Sequence, residues 1–231
     1  MKLLALDTSS IACSVALDID GRVIDRHEEQ AREHTRLVMP MVRSLLDEAG
    51  LAPADLDALV LGNGPGSFIG MRIAASVAQG LAFASGLGIV PVSSLLAVAA
   101  ETFASEQADF VAVCQDAHMN EVYLGLYSRD DEDLPVALSP ERLHGRAPIA
   151  ELRASPGKFV AAGFGWARYP ALLDENRELL ASLGSRQHPA ARFLLPSGRR
   201  LFRQGVLVEP QDVAPTYLRQ SVARKPVPSE P

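Results

Sequence analysis

A strand–turn–strand pattern occurs twice in this chain of 231 residues, and it restricts the possible folds more than any other feature. The first copy is "KLLALDTSSIACSVALDIDGR" at 2–22, and the second is "DFVAVCQDAHMNEVYLGLYSRDDE" at 109–132. Each copy has an apolar strand that ends at an aspartate, Asp7 or Asp116, followed by a polar turn and a second alternating strand. The repeat predicts two related halves.

Strand-like and helix-like patterns alternate between the two copies. The "DG" at 20–21 is a hairpin signal that leads to a third strand, so the chain begins with a three-stranded meander. Apolar residues then recur at helical spacing over 35–49, and Gly50 ends the run. The next elements are predicted at these positions: a buried strand at 56–62, a helix at 68–85 capped by Ser67, a strand at 88–94 and a helix at 95–105. This alternation predicts an α/β fold with helices packed against a layered sheet.

The two predicted halves divide the chain near its middle. We predict an N-terminal subdomain at 1–106 and a C-terminal subdomain at 107–219. The remaining residues, 220–231, are rich in proline and are predicted to be a disordered tail.

The net charge of −6 argues against a protein that holds nucleic acid by itself. That affinity needs clustered Lys and Arg, so a nucleic acid would reach this chain through a basic partner. Cys13 and Cys114 each lie in an apolar strand-like run, which favours buried free thiols in a reducing compartment. The N-terminus has no signal-peptide pattern and no stretch approaches transmembrane length, so we predict a cytoplasmic protein with no membrane partner.

The loop "LGNGPGSFIGMR" at 61–72 is the main candidate for a binding site. A P-loop needs a lysine after its last glycine, but Met71 and Arg72 follow Gly70, and the Rossmann spacing is also missing. Two interpretations stay open: a phosphate-binding turn before a helix N-terminus, or a tight strand-to-helix turn with close backbone approach. The hydroxyl-rich turn after Asp7 allows the same choice between a phosphate site and a self-bonded turn. The candidate phosphate-loop residues are Asp7, Thr8, Ser9, Gly64, Gly66 and Ser67.

Small residues recur every four positions on the helix after this loop, at Gly70, Ala74, Ala78 and Ala82. Such a ridge lets another helix approach closely, either within the core or across a subunit boundary. Further apolar residues beside the ridge favour the boundary, so we predict a subunit contact on this helix and the preceding one. The predicted interface residues are Leu37, Met41, Leu45, Gly70, Met71, Ala74, Ala75, Ala78 and Ala82. The five histidines lack the i, i+4 spacing of a helical metal site, so we predict no metal ligand and no catalytic residue.

Seven short motifs, taken together, resemble the TsaB family, which is also called YeaZ. They are "LLALDTS", "EHTRLVMPMV", "GNGPGSFIGMRIA", "AQGLA", "VSSLLAVA", "DAHMNEVY" and "PTYLR", and they span nearly the whole chain in this order. The resemblance implies an actin-like ATPase fold (ASKHA, RNase H-like) with two related subdomains, each with a β-meander and packed helices. The sequence departs from the usual family residues Thr, Gly and Arg at Ile69, Ala74 and His118.

The resemblance also implies a non-catalytic scaffold. The catalytic relative TsaD shares the glycine loop and has a His-x-x-x-His metal pair on a helix that follows it. The corresponding stretch of this chain, residues 91–100, contains no histidine. The implied partners are TsaD, the ATPase TsaE and, when the chain is alone, a second copy of itself. Such a complex forms N6-threonylcarbamoyladenosine at position 37 of tRNAs that read codons beginning with A, and tRNA would meet this chain only indirectly.

No intrinsic cofactor is expected, and an ATP or ADP would bind at the boundary with TsaD. Two alternative functions stay open at this point. The first is a stand-alone actin-like ATPase or kinase, for which Gly163 and Gly165 are the candidate adenosine loop. The second is a glycoprotease-like peptidase, although no nucleophile arrangement is evident in the sequence.

Overall fold

The structure, a computed structural model, describes residues 1–219. The strands are β1 (Lys2–Asp7), β2 (Ala12–Ile19), β3 (Arg22–Glu29), β4 (Ala58–Gly62), β5 (Ile89–Val92), β6 (Phe110–Asp116), β7 (Val122–Arg129), β8 (Pro135–Ala137), β9 (Arg142–His144), β10 (Phe159–Ala162) and β11 (Leu180–Leu183). The α-helices are α1 (His34–Ala49), α2 (Phe68–Ser85), α3 (Ser94–Ser105), α4 (Ala150–Ala154), α5 (Phe164–Arg168), α6 (Pro170–Asn176) and α7 (Leu195–Arg203). The predicted tail at 220–231 lies outside the described residues.

The strands form two sheets that follow the same path. The order is β3-β2-β1-β4-β5 in the first sheet and β8-β7-β6-β10-β11 in the second, where β9 also pairs with β7. In each sheet three strands form an antiparallel meander, and two further strands run parallel to its first strand. The match confirms the predicted repeat and the predicted actin-like fold class with two related subdomains.

Local capping sets the bounds of α2, which agree with the predicted helix at 68–85. The Ser67 hydroxyl accepts a hydrogen bond from the Gly70 amide at 3.2 Å and so satisfies one free donor of the first turn. At the other end, Gly86 adopts a left-handed conformation with φ of +68°, which glycine enters without steric cost.

The first sheet is covered on both faces. Helices α1 and α2 pack on one face against alternate residues of the strands, such as Leu6 and Leu61. The opposite face carries Leu3 and Val60, and it is covered by a late segment of the chain that includes Ala191, Leu194 and Leu195. Although the sequence places this segment in the C-terminal subdomain, it completes the core of the first sheet, because a sheet with two apolar faces needs a layer on each.

Two consecutive arginines attach α7 to both halves. Arg199 pairs with Asp18 of β2, whose side chain is 0% exposed, and its Nε lies 3.1 Å from Asp18 Oδ2. Arg200 pairs with Asp130, which follows β7 in the second half. The helix therefore bridges the two subdomains through charge-assisted hydrogen bonds.

Residues 213–219 form a second bridge, which we call the C-terminal strap. Near its start, the Asn63 side chain donates to the Ala214 carbonyl at 3.1 Å. At its end, Arg219 donates to the Ala117 carbonyl at 3.0 Å and pairs with Glu121 at 2.7 Å. The strap thus runs from the glycine loop of the first half to the β6–β7 turn of the second.

Candidate functional site

Asp7 ends β1 with a buried carboxylate whose oxygens are already bonded within the protein. Its Oδ1 accepts from the Ser9 amide and the Ser9 hydroxyl, both at 2.7 Å, and its Oδ2 accepts from the Ser94 hydroxyl at 2.6 Å. Burial raises the pKa of Asp7, and the hydrogen bonds from Ser94 and Ser9 oppose that shift. The self-bonded turn is therefore present, and phosphate binding at this aspartate stays a prediction.

The glycine loop packs directly on the Asp7 turn. The Ser67 amide donates to the Ser9 carbonyl at 2.6 Å, and the Thr8 hydroxyl donates to the Gly70 carbonyl at 2.7 Å. A Cβ atom at Gly66 would lie 2.3 Å from the Ser9 carbonyl oxygen, so glycine is needed for this approach. The six candidate phosphate-loop residues are brought together, but several of their polar groups bond to one another. Nucleotide binding at this loop stays a prediction.

Gly70→Ala is expected to destabilise the fold by about 3 kcal/mol, since overpacking a tight contact costs roughly this much. The new Cβ would lie 1.9 Å from the backbone oxygen of Thr8, which has no rotamer to move away. Gly80→Ala on the same helix is the matched control, because nothing lies within 4 Å of its Cβ position. We expect that control to stabilise the helix by up to about 1 kcal/mol. Urea unfolding of both variants measures the contrast, and equal stabilities would contradict the packing described here.

The predicted small-residue ridge faces the core and not a subunit boundary. Ala74, Ala78 and Ala82 are fully buried against the first sheet, where their small side chains let α2 lie close to the strands. The other predicted interface residues follow the same face: Leu45, Met41, Gly70, Met71 and Ala75 are buried, and Leu37 is half-buried. Burial of these residues contradicts the prediction that they form a subunit contact.

The outer face of α1 and α2 is apolar and exposed. On α2 the side chains of Ile69 and Phe83 are 69% and 81% exposed, and Phe68 is half exposed. A shallow apolar pocket lies between the two helices, lined by Thr35, Val38, Met39, Phe68, Ile69, Arg72, Ile73, Ser76 and Val77. Exposed apolar patches of this kind mark contact sites on soluble proteins. We call these residues, without the buried Val38 and together with Phe83, the outer face.

The strap contributes an aromatic residue at the edge of the outer face. The Arg72 guanidinium lies 3.7 Å from the centre of the Phe68 ring, and its Nε donates to the Tyr217 hydroxyl at 2.9 Å. Stacked arginine and aromatic side chains are common anchors of protein interfaces. Sequence reasoning missed this cluster because Tyr217 is distant along the chain from α2.

Helix α2 corrects one further expectation. It is the one helix among residues 1–219 that is long and apolar enough, by length and composition, to cross a bilayer. The statement that no stretch approaches transmembrane length is wrong by that measure. The apolar character has two sources in the structure, since one side of α2 packs on the sheet and the other side is the outer face.

The second half repeats the first site with different surroundings. Asp116 ends β6 as Asp7 ends β1, and its Oδ1 accepts from the Tyr169 hydroxyl at 2.7 Å and from the His118 amide at 2.8 Å. The candidate adenosine-loop glycines, Gly163 and Gly165, pack on the Cys114 carbonyl, which a Cβ atom would meet at 2.3 and 2.8 Å. These glycines therefore serve close packing on β6.

A cleft of about 390 Å³ lies between the two aspartate turns, with Ser9 and Ser67 on one side and Asp116 on the other. His34 and His188 also line it; both are buried, and each Nδ1 has no hydrogen-bond partner among the described residues. Burial lowers the pKa of His188, which favours the neutral ring. Within residues 1–219 no group of three or more His, Cys, Asp or Glu side chains is arranged to hold a metal ion. Isolated histidines carry no spacing signal, so the sequence did not point to this pair.

Comparisons with known proteins agree with this architecture. Residues 26–225 match the family described as TsaD, tRNA N6-adenosine threonylcarbamoyltransferase. The tRNA threonylcarbamoyladenosine biosynthesis protein TsaB of Escherichia coli is 38% identical over 236 aligned positions, which cover 100% of both chains. The TsaB protein of Haemophilus influenzae is 35% identical and covers 99% of this chain and 98% of its own.

A solved structure described as YeaZ from Pseudomonas aeruginosa superposes with a TM-score of 0.83 at 36% identity, covering 94% of this chain and 99% of its own. A second one from the same organism, described as similar to peptidase YeaZ, has a TM-score of 0.85 at 37% identity and the same coverage. Matches of this identity extend over both sheets and both aspartate turns. The chain therefore belongs to the TsaB family, also called YeaZ.

Proposed function

We propose that this chain is a non-catalytic subunit that supports a TsaD-type catalytic subunit. As a TsaB family member, the protein has a role in tRNA threonylcarbamoyladenosine biosynthesis. The proposed product is N6-threonylcarbamoyladenosine at position 37 of tRNAs that read codons beginning with A. The observation that carries the scaffold role is the outer face of α1 and α2, which offers an apolar contact surface on the protein.

The geometry of the loops supports a scaffold more than a stand-alone ATPase. The carboxylate of Asp7 is bonded to Ser9 and Ser94, and the loop amide of Ser67 is bonded to Ser9. A nucleotide at this loop would have to break these buried contacts, each of which contributes to stability. In this proposal ATP or ADP binds instead at the boundary shared with the partner, and a TsaE-type ATPase joins the assembly.

The same face explains a proposed homodimer of the isolated chain. Ile69 and Phe83 stand at opposite ends of α2 as exposed apolar residues, and half-buried Ile73 and Val77 lie between them. We call this set of residues the strip. Two-fold dimers are the commonest way to cover such a surface. A partner that covers the strip in the complex would therefore replace the second copy. The cytoplasmic location stays a prediction.

Substitution of the outer face tests the proposal. Ile69→Glu and Phe83→Glu place a charge on exposed positions, so both variants should keep the fold. Each should lower affinity for the TsaD-type subunit by about 30-fold or more, the effect typical of an interface residue that dominates binding. Leu183→Glu on β11, where the leucine is 57% exposed, is the matched control and should bind as the unchanged protein does. Co-purification and light scattering give the readout. If both α2 variants pair normally, the interface assignment is wrong. Steady ATP hydrolysis or threonylcarbamoyl-adenylate formation by the chain alone would contradict the non-catalytic role.

A further inference from the structure

A pocket of about 480 Å³ opens beside the β6–β7 turn of the second half. Three separate segments meet there: the turn itself, the loop before α4, and the end of α5. Its lining includes His118, Met119, Asn120, Arg146, Arg168 and Tyr169, and the start of α6 completes it. None of these residues belongs to the outer face, so the pocket is a second surface feature.

The turn that forms one wall has an uncommon backbone. His118, Met119 and Asn120 all have positive φ angles, of 60°, 54° and 63°. Residues other than glycine rarely adopt this conformation, and three in succession persist only where the surroundings fix them. Here the Glu121 amide donates to the His118 carbonyl at 3.0 Å, and the strap residue Arg219 holds the neighbouring Ala117 carbonyl. The pocket wall is therefore preformed.

The two arginines of the pocket keep most of their positive charge unpaired. Arg146 donates to the Asn120 side-chain oxygen. No carboxylate oxygen of residues 1–219 lies within 4.0 Å of an Arg146 guanidinium nitrogen. Arg168 reaches Asp116 only at 3.9 Å, and that carboxylate already accepts from Tyr169 and His118. Among residues 1–219, ten of the 18 arginines sit in closer ion pairs, whereas this concave site holds two arginines without one.

We propose that this pocket binds a phosphate of the tRNA backbone in the assembled complex. A guanidinium presents N–H donors in a planar fork that matches phosphate oxygens, and the Asn120 amide lies beside it as a further donor. Such a contact positions RNA without reading its sequence. The inference rests on the proposed function, which supplies the RNA, and it replaces the expectation that tRNA meets this chain only indirectly.

The charge and the exposure of the site fit a backbone phosphate held jointly with a partner. Two arginines neutralise one or two phosphates, which is too few to hold RNA on an acidic protein alone. The Arg168 side chain is largely exposed, so a free anion would be held with little enclosure. A tRNA already bound by the catalytic subunit needs no enclosure, because its other contacts supply most of the affinity.

The test is tRNA binding by the complex of this chain with its TsaD-type subunit. The double variant Arg146→Ala/Arg168→Ala should weaken binding about tenfold and reduce the slope of log K against log salt by about one to two. Arg177→Ala is the control, since Arg177 is an exposed arginine of the same half that pairs with Asp174 at 3.0 Å outside the pocket. It should leave affinity and slope unchanged.

Three results would overturn the inference. The first is a double variant with unchanged affinity and salt slope; normal pairing in that experiment would leave the scaffold role standing. The second is an equal loss in the Arg177 control. The third is a combination: inorganic phosphate or ATP stabilises the isolated chain, the double variant loses this stabilisation, and tRNA binding does not change. That combination would assign the pocket to a free phosphate compound. If the chain fails to pair with the catalytic subunit, the scaffold role fails, and the pocket inference fails with it, because two arginines are too few to hold RNA on this acidic chain alone. Normal pairing together with the first or second result overturns the pocket inference only.

Discussion

Ala78→Glu is expected to prevent stable folding of this protein. Ala78 is 0% exposed and lies between Ala74 and Ala82 where α2 meets the first sheet. A glutamate at this position has no space and no partner for its charge. Overpacking costs about 1–3 kcal/mol, and burial of an unpaired polar or charged group adds several more. The sum is comparable with the whole stability of a typical domain, about 5–15 kcal/mol.

The matched control for this change is Ala84→Glu. Ala84 belongs to the same helix but is exposed, so the same substitution adds a charge without burying it. Circular dichroism and thermal unfolding of the two variants, each produced at the same temperature, separate the outcomes. An Ala78→Glu protein that melts like the Ala84→Glu protein would show that the ridge does not face the core.

Arg199→Ala is expected to lower the free energy of unfolding by about 3–5 kcal/mol, the usual effect of removing one partner from a buried ion pair. The reason is Asp18, whose carboxylate is 0% exposed and would lose its cationic partner. Its other oxygen, Oδ1, accepts from the Gly21 amide at 2.8 Å, so the side chain cannot turn towards solvent without losing that bond. Most of the loss therefore comes from the unpaired charge that remains.

A double-variant cycle tests this reason. Asp18→Asn combined with Arg199→Ala removes the charge, keeps an acceptor for Gly21, and should recover part of the stability. Arg36→Ala is the surface control, because Arg36 pairs with Glu33 where both side chains are well exposed. That control should change stability by less than about 1 kcal/mol. Denaturant unfolding of five proteins supplies the values: the unchanged protein, the two single variants, the double variant and the Arg36→Ala control. A double variant less stable than Arg199→Ala would rule out the charge explanation.

The sequence was sufficient to predict the two sheets because their signals are local. Strand periodicity, the hairpin at 20–21 and the repeated aspartate at a strand end are each contained within a short stretch. The cap at Ser67 likewise places the start of α2 without reference to the rest of the chain.

The sequence was insufficient to choose the buried face of α2. This helix is apolar around most of its circumference, so periodicity distinguishes the two sides poorly. The ridge of small residues was compatible with either side, and only the position of the first sheet decides between them. The roles of Tyr217 and Arg146 also depend on contacts between distant segments, which a single sequence does not reveal.

A ribosome that makes this chain finishes the two faces of the first sheet at different times. The strands and helices α1 and α2 are complete once Val92 of β5 has emerged, and α3 then adds Ala97 to the back layer, but the rest of that layer begins only at Ala191. At usual synthesis rates that interval lasts roughly ten seconds, far longer than the local formation of a helix or hairpin. During it, Leu3 and Val60 lie on an apolar surface whose back layer is incomplete. The nascent chain therefore exposes its outer face before the back layer of the first sheet is complete. Early release or arrest of synthesis would leave a product prone to aggregation.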